Sequence, residues 1–403
     1  MGFSQGLSGL SAAAKALDVV GNNIANSQTV GFKSGAIAFS DVFAGTMGLG
    51  VQVAGVTQNF NDGNLLGTGR NLDVGLQGRG FFRMVNEGGG VFYGRNGQFE
   101  QDVNGNIYNK TNGLFLTGYQ ATGTPPVISP GAPIGPIQIP TDDMPPVAST
   151  AGSIAGNLKA KTEDFITEDF DYEDDKTYDY VSQVEATDSL GNKHTVKLYF
   201  VQTGKGEWTV HARDESSPTA ANDGVTSANI KFDEDGKLTG AIDSILVGGD
   251  PLNGSRALAL NLDLSSITQI AGDNTIKTDK MDGRAPGKYQ TFQIGDNGEV
   301  VATYSNGERL TVAQIVLADF ANSGGLSPQG NNVWSETPQS GQPFFGEAGS
   351  GSFGSMKGGM LEQSNVELGD EMVNMIVYQR NYQSNSQTIK TQSELLQTLV
   401  NLR

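Results

Sequence analysis

The residues that could do chemistry are few, and their spacing argues against most of it. Gly349-Ser-Gly351-Ser-Phe-Gly354 fits the G-x-G-x-x-G pattern of a dinucleotide-binding turn. That reading needs a strand before the pattern and a helix opening within it. The flanks here are EA and SMKGG, which predict a glycine-rich connector. Asp102-Val-Asn-Gly-Asn106 has the opening of a calcium loop, but its sixth position is Ile107 and its twelfth Gly113. A calcium loop requires Gly and Glu there, so a turn is expected. His194 and His211 are the sole histidines, and no G-x-S-x-G frame accompanies them. Both are expected to be ordinary strand residues. Asn109-Lys-Thr111 and Asn253-Gly-Ser255 match the glycosylation triplet, a pattern short enough to arise by chance. With no cysteine there is no disulfide, thiolate nucleophile or zinc–thiolate site. The expectation is no catalytic residue, no metal and no cofactor. Carboxylates abound, but two tryptophans in 403 residues offer little of the aromatic platform a glycosidase uses.

The elements carrying these residues divide by charge. The formal charge is −18, from 26 basic and 44 acidic residues. Residues 1–60 sum to zero and residues 361–403 to −2, whereas residues 151–290 hold 24 acids against 14 bases. The middle therefore carries the field and the ends are nearly neutral. Such a balance speaks against nucleic-acid binding, which needs clustered Lys and Arg. No apolar run approaches the roughly 18 residues of a membrane span. The start, MGFSQGLSGLSAAA, has no basic n-region or apolar h-region, so no Sec signal is expected. The run Glu163–Asp175 has eight carboxylates in 13 residues and predicts a solvated loop or edge strand.

Periodicity separates ends from middle. Phe3, Leu7, Leu10, Ala14, Leu17, Gly21 and Ile24 step by four and three, a heptad seam of about three heptads. Gly21-Asn22-Asn23 is expected to end or loosen this helix. Near the C-terminus, Ser364 and Glu367 match a capping box. Leu368, Met375, Tyr382, Ile389 and Leu396 then recur every seven residues, with Met372, Gln379, Ser386, Ser393 and Val400 at the other seam position. No Gly or Pro interrupts Asp370–Arg403. The two terminal helices are expected to pair, with remaining surface meeting other copies. Between them lie short strands and turns, as in Asp188-Ser-Leu-Gly191 before HTVKLYFVQ and Gly295-Asp-Asn-Gly298 before EVVATYS. Gly is 55 of 403 residues, roughly twice ordinary usage. This predicts β-sandwich or barrel-like domains. Eight of the 14 prolines lie in 125–146, which sets a boundary near residue 147; MDGRAPG at 281–287 marks another.

One stretch is more specific. Leu17-Asp-Val-Val-Gly-Asn22-Asn23-Ile-Ala-Asn26-Ser-Gln-Thr-Val-Gly31-Phe32-Lys33 resembles the N-terminal signature of the flagellar rod and hook (axial) protein family. Asn71-Leu-Asp-Val, Gly78-Arg-Gly-Phe-Phe82, Tyr93-Gly-Arg-Asn-Gly-Gln-Phe99 and the segment Leu368–Arg403, with Glu371-Met-Val-Asn-Met and Gln379-Arg-Asn-Tyr-Gln383, resemble further parts of it. These cover about 1–120 and 310–403. The resemblance implies a mainly β chain with α-helical termini, running out and back. Residues 1–24 and 359–403 would form a helical coiled-coil domain, 25–70 an extended connector, 71–146 with 286–358 an inner β domain, and 147–285 an outer β domain inserted into it. It implies a structural subunit, exported through the flagellum, that polymerises into a curved flexible tube outside the cell and passes torque from rod to filament. Implied partners are copies of itself, the distal rod protein, the hook cap, the hook–filament junction proteins and the flagellar export apparatus, without nucleic acid or membrane insertion. Alternatives are a distal rod or hook-associated member of the same family, and a secreted β-rich adhesin or enzyme.

Overall fold

A computed structural model describes residues 3–44, 47–123, 126–129, 131–216, 225–239, 244–249 and 254–401. Long helices occur, among the described residues, only at the ends: α1 (Phe3–Ala25) and α2 (Leu368–Asn401). Strands account for 45% of the residues, far above the roughly 20–25% of an ordinary domain. The chain is mainly β with helical termini.

Two details at the helix ends differ from the sequence expectation. Helix α1 runs through Gly21-Asn22-Asn23 to Ala25, because Asn22 and Asn26 satisfy each other across the last turn: Asn26 Nδ2 donates to both the backbone and side-chain oxygens of Asn22. Helix α2 starts at Leu368, so Ser364 lies outside it. Its hydroxyl accepts the amide of Val366, and the expected capping box does not form. Residues 25–70 are also more structured than a bare connector. β1 (Gly35–Ala44) and β2 (Met47–Gln58) make an antiparallel hairpin with two bulges.

The chain divides into two units: 1–141, 291–303 and 309–403; and 142–290 with 304–308. In the first, strand Phe81–Val85 pairs with Val91–Gly94, Phe115–Gln120 and Leu317–Asp319. Its core joins Phe81, Tyr93, Phe320, Leu326 and Trp334, with Phe60 against it. Phe60, Phe81, Trp334, Tyr93 and Phe320 meet edge to face at 4.8–6.0 Å, the geometry that aromatic quadrupoles favour. Asp102 holds the turn before Ile107–Asn109 by accepting the amides of Asn104 and Asn106, so those residues build a turn. The stretch 347–354 is also turns, closed by Gly349 N to Gly354 O, and a strand follows. No helix opens there to cradle a phosphate. Within the Asn109–Thr111 triplet Asn109 itself is buried: its side-chain amide donates to Asn96 O and its Oδ1 accepts from Thr111. Asn253 lies outside the described residues.

The second unit has two sheets. Tyr180–Thr187, Lys193–Gly204, Glu207–Asp214, Thr226–Phe232 and Leu238–Thr239 are antiparallel neighbours in that order. The other sheet orders Ser244–Gly249, Leu258–Thr268, Ala151–Asn157 and Thr275–Met281, with Ala151–Asn157 parallel to its Leu258–Thr268 neighbour. Alternation makes the core: Trp208, Val210 and Ala212 point in, and they join Leu260, Leu262 and Leu264 from the other sheet. The acidic run is a loop with all eight of its acidic residues exposed, as expected, and its aromatic residues anchor it. Phe170 stacks on His211 at 4.0 Å, and Tyr172 lies 3.7 Å beneath the Arg213 guanidinium. His194 is buried, with Nδ1 2.7 Å from Asp214 Oδ2 and Nε2 3.5 Å from Asp188 Oδ2. Both histidines are thus built into strands, and no cluster among the described residues suits a metal.

Burial holds His211 below its ordinary value of 6.5. The folded unit keeps the imidazole neutral where the unfolded chain would protonate it. That contribution to stability is complete above pH 6.5 and is lost as pH falls through 6.5 towards the folded value. The melting temperature of the second unit is expected to drop between pH 7 and 5, and to drop less in His211→Phe, which keeps a ring against Phe170. Thermal melts of both chains across that range check this.

Candidate assembly site

Helix α1 buries its small residues. Gly6, Ala13 and Val20 recur every seven positions, as do Gly9, Ala16 and Asn23; all are buried except the partly covered Gly9. This stripe lies one residue away from the expected seam. It faces α2 closely: a methyl placed on Gly6 would sit 3.1 Å from Ile389 Cγ1, and one on Gly9 only 2.7 Å from Asn385 Oδ1. Asn23 Nδ2 reaches Glu371 Oε1 at 2.9 Å. Early α1 residues therefore meet late α2 residues, and the helices run antiparallel. Glycine inside a helix costs about 1 kcal/mol relative to Ala, and its return here is close approach of two backbones. The hairpin covers another side of α1, where Gln5 Nε2 donates to Gly48 O and Val51 N to Ser8 Oγ.

The large apolar residues of the expected seam fall elsewhere. Phe3 and Leu7 are exposed by 50% and 53%, and Leu10, Ala14, Leu17, Gly21 and Ile24 are partly covered. On α2, Met375 and Ile389 turn towards α1 with Glu371, Tyr378 and Asn385 and are partly covered. Leu368, Met372, Tyr382 and Leu396 are exposed; the side chain of Val400 lies outside the described residues. Val373, Ile376, Val377 and Leu395 are exposed beside them. Each helix thus uses one face within the chain; outside it α1 leaves Phe3 and Leu7 open near its start, and α2 leaves two apolar patches, 368–377 and 395–396, separated by the largely polar stretch 379–394.

The Asn-Asn-Ile-Ala-Asn…Gly-Phe-Lys stretch ties this helical arm to the first unit. Asn23 grips Gly35 twice, accepting its amide and donating to its carbonyl, each at 2.8 Å. Asn26 Oδ1 accepts the Thr29 hydroxyl. Gly31 has φ +68°, a left-handed conformation, and donates to Glu362 O. A Cβ there would fall 2.7 Å from the Arg95 carbonyl carbon. Phe32 is buried. Lys33 and Glu362 are fully buried and meet at 2.7 Å; Lys33 Nζ also donates to Asn61 O. Arg95 Nη1 reaches Glu362 Oε2 at 3.3 Å and Asp62 Oδ1 at 3.4 Å, and its Nη2 donates to Gly78 O. Burial pulls the Lys33 ammonium below 10.5, and the attraction of Glu362 opposes that shift. Asn365 clasps the same place, accepting Ser34 N and donating to Asn59 O and Asn61 O. Arg95, Asp62, Glu362 and Asn365 were not singled out by the sequence reading. Arg95 sits within a quoted motif; Glu362 has no local signal at all.

Comparison with known proteins decides what such an arm belongs to. Four family profiles match in order: "Flagella basal body rod protein" over 5–33, "Flagellar hook protein FlgE/F/G D1 domain" over 75–156, "Flagellar basal body protein FlaE D2 domain" over 157–284, and "Flagellar basal body rod FlgEFG protein C-terminal" over 357–402. The flagellar hook protein FlgE of Salmonella typhimurium is 49% identical over 406 residues, covering all of both chains, and that of Escherichia coli K12 is 47% identical over 405. The chain belongs to the flagellar hook protein family. A crystal structure of Helicobacter pylori hook protein FlgE2 has the same fold, with a TM-score of 0.59 at 17% identity, covering 74% of this chain and 100% of that one. Its family places the chain in the flagellar hook, outside the cell, as a structural component.

Gly31→Ala adds a methyl at a left-handed position already 2.7 Å from backbone. It is expected to destabilise the first unit by on the order of 2 kcal/mol or more. Urea unfolding monitored by tryptophan fluorescence, with Trp334 in that unit, reads the loss.

Proposed function

We propose that copies of this chain polymerise head to tail into a curved, flexible tube that carries torque from rod to filament, and that the two terminal helices are the element through which copies meet. The observation that carries this reading is the set of open apolar patches near the helix ends. Phe3 and Leu7 on α1, and Leu368, Met372, Val373, Ile376, Val377, Leu395 and Leu396 on α2, stay exposed while the small-residue seam is used within the chain. A soluble monomer leaves few such contiguous surfaces uncovered. Contacts between unlike faces that do not close give helical filaments.

Phe3, Leu7, Leu10, Ala14, Leu17, Ile24, Leu368, Met372, Met375, Tyr382, Ile389, Leu396 and Val400 are proposed as the helix-packing and assembly set, and Asn22, Asn23, Asn26, Gly31, Phe32 and Lys33 as the fixings at its root. Residues 1–24 with 359–403 would line the tube, 71–146 with 286–358 would form its wall, and the acidic 147–285 would stand outside and keep it soluble. The neutral ends let many copies crowd at the axis without repulsion. The distal rod protein at the base, the hook cap and junction proteins at the tip, and the export apparatus as carrier complete the proposed partners. The proposed role is wholly structural, without catalysis.

Leu396→Asp and Met372→Asp place a charge on exposed helix surface. The monomer's melting temperature and circular dichroism should change little, within about 0.5 kcal/mol. Polymerisation should be lost, because a charge buried between helices costs several kcal/mol. Sedimentation and electron microscopy of the full chain read the outcome; normal tubes from either variant would refute the helical interface.

A further inference from the structure

We propose that Glu362 gates the docking of the N-terminal arm, the stretch around Lys33 with helix α1 before it, so that the arm closes only onto a chain whose returning strand Met360–Glu362 is already in place. The geometry points to an order because the two halves of the contact are supported unequally.

The returning strand is held without help from the arm's charge. Met360–Glu362 pairs with Leu65–Gly67. Gln363 N donates to Asn64 O, Thr68 N to Gly359 O, and Leu361 is buried. These contacts need neither Lys33 nor the helices. The end of the N-terminal segment is anchored on its own, with Gln58 accepting from Trp334 Nε1, Phe60 against Phe81 and Trp334, and Asp62 accepting from Gly78 N and paired with Arg95, but the stretch around Lys33 has the opposite dependence. Gly31 N donates to Glu362 O, Gly63 N to Glu362 Oε1, and Lys33 Nζ to Glu362 Oε1. Three groups of the N-terminal segment thus converge on one residue that lies 329 positions from Lys33 in the chain.

Charge makes the dependence strict. Lys33 has no solvent access, and among the described residues the carboxylate in ion-pair contact with it is Glu362. Arg95 lies on the far side of that carboxylate and is itself 2% exposed. Without Glu362 the arm would press a buried ammonium towards a buried guanidinium. Arg95 keeps Asp62 and Gly78 O in that case, whereas Lys33 keeps one backbone carbonyl. Burying an unpaired charge costs far more than docking a short strand returns. The stretch around Lys33 is therefore stable only after the C-terminal end has come back, and the two helices are brought side by side as a consequence. Gating of this kind is a property of one chain and does not depend on how copies assemble.

Hydrogen exchange by mass spectrometry on the full chain, in soluble and sedimented fractions, tests it. In Glu362→Gln, which keeps the shape and removes the charge, amides in 31–63 and in α1 should exchange on the order of a hundredfold faster, the penalty for breaking a buried pair from one side. Amides of Phe81–Val85, Phe115–Gln120 and residues 180–214 should keep their rates. The double variant Lys33→Met/Glu362→Met removes both charges and should recover most of the protection in 31–63, a non-additivity that simple loss of packing does not produce. Three results overturn the proposal: unchanged exchange of 31–63 in Glu362→Gln, equal acceleration in Phe81–Val85, or a double variant no slower than the single. Wild-type chain whose 31–63 amides exchange like unfolded peptide in both fractions overturns it as well.

Discussion

The buried pair between Lys33 and Glu362 is the constraint on which the rest depends. It joins residues from opposite ends of the chain at a point with no water access. Helix α1 ends eight residues before Lys33, and α2 starts six residues after Glu362. Fixing those two residues therefore fixes the roots of both helices together. The antiparallel pairing of α1 with α2 then follows from chain geometry, and Asn23, bonded to both Gly35 and Glu371, sets its beginning. A buried ion pair adds little net stability compared with apolar groups of the same shape. Its advantage is selectivity: an ammonium in a dry site accepts no neighbour but a carboxylate. The pair specifies which two segments meet more than it strengthens their meeting.

Above that root the helices show a division that hydrophobicity alone does not produce. The α1 side of the contact is small or polar, while large apolar residues, Phe3, Leu7, 368–377 and 395–396, are left open in patches near the helix ends. An isolated helix of this length is marginal in water and gains its stability from a covered apolar face. Here the covered face is poor in apolar area, because Gly6, Gly9, Ala13 and Ala16 contribute little. The intrachain contact sets geometry and leaves most of the hydrophobic stabilisation unspent. That remainder is available to contacts between chains, so full ordering of the helices and assembly are linked by mass action.

This division also explains which parts of the fold were legible in the sequence. The period of seven was readable at both ends, since it depends only on spacing. Its phase was not, because a rule that sends Phe3, Leu7 and Leu10 inward presumes that the largest residues meet first. Close approach at Gly6 and Gly9 reverses that, and the seam moves by one residue. The Asn22–Lys33 signature was readable as a string, but its meaning lay in Glu362 and Arg95, and no local pattern connects residues so distant. The hairpin 35–58 was hidden by Gly48, Gly50 and Gly55 and by two bulges, which interrupt strict alternation. The second unit was more transparent, because strands such as Glu207–Asp214 alternate cleanly and the turns before them carry Gly and Asp. Its acidic run was legible as a solvated loop, but the anchors of that loop were not. Phe170 and Tyr172, spaced two apart among carboxylates, anchor the run through His211 and Arg213, and aromatic spacing that sparse carries no periodic signal.

The distribution of directional and non-directional contacts bears on how a polymer of such chains could bend. Directional bonds are concentrated inside the chain: the charge cluster at Lys33, the Asn23 and Asn365 clasps, the sheet ladders. The exposed patches near the helix ends carry Leu, Met, Val and Ile, whose attraction is proportional to area covered and nearly indifferent to exact registry. Neighbours held this way can shift by an ångström or two with small loss. Neighbours held by ion pairs would break discrete bonds or leave charges unpaired. On the proposed assembly, copies joined by such apolar patches would make a joint with compliance between copies. Within each copy the root at Lys33 must stay closed under load, and a dry site whose charges cannot separate without meeting an apolar environment resists that separation most strongly.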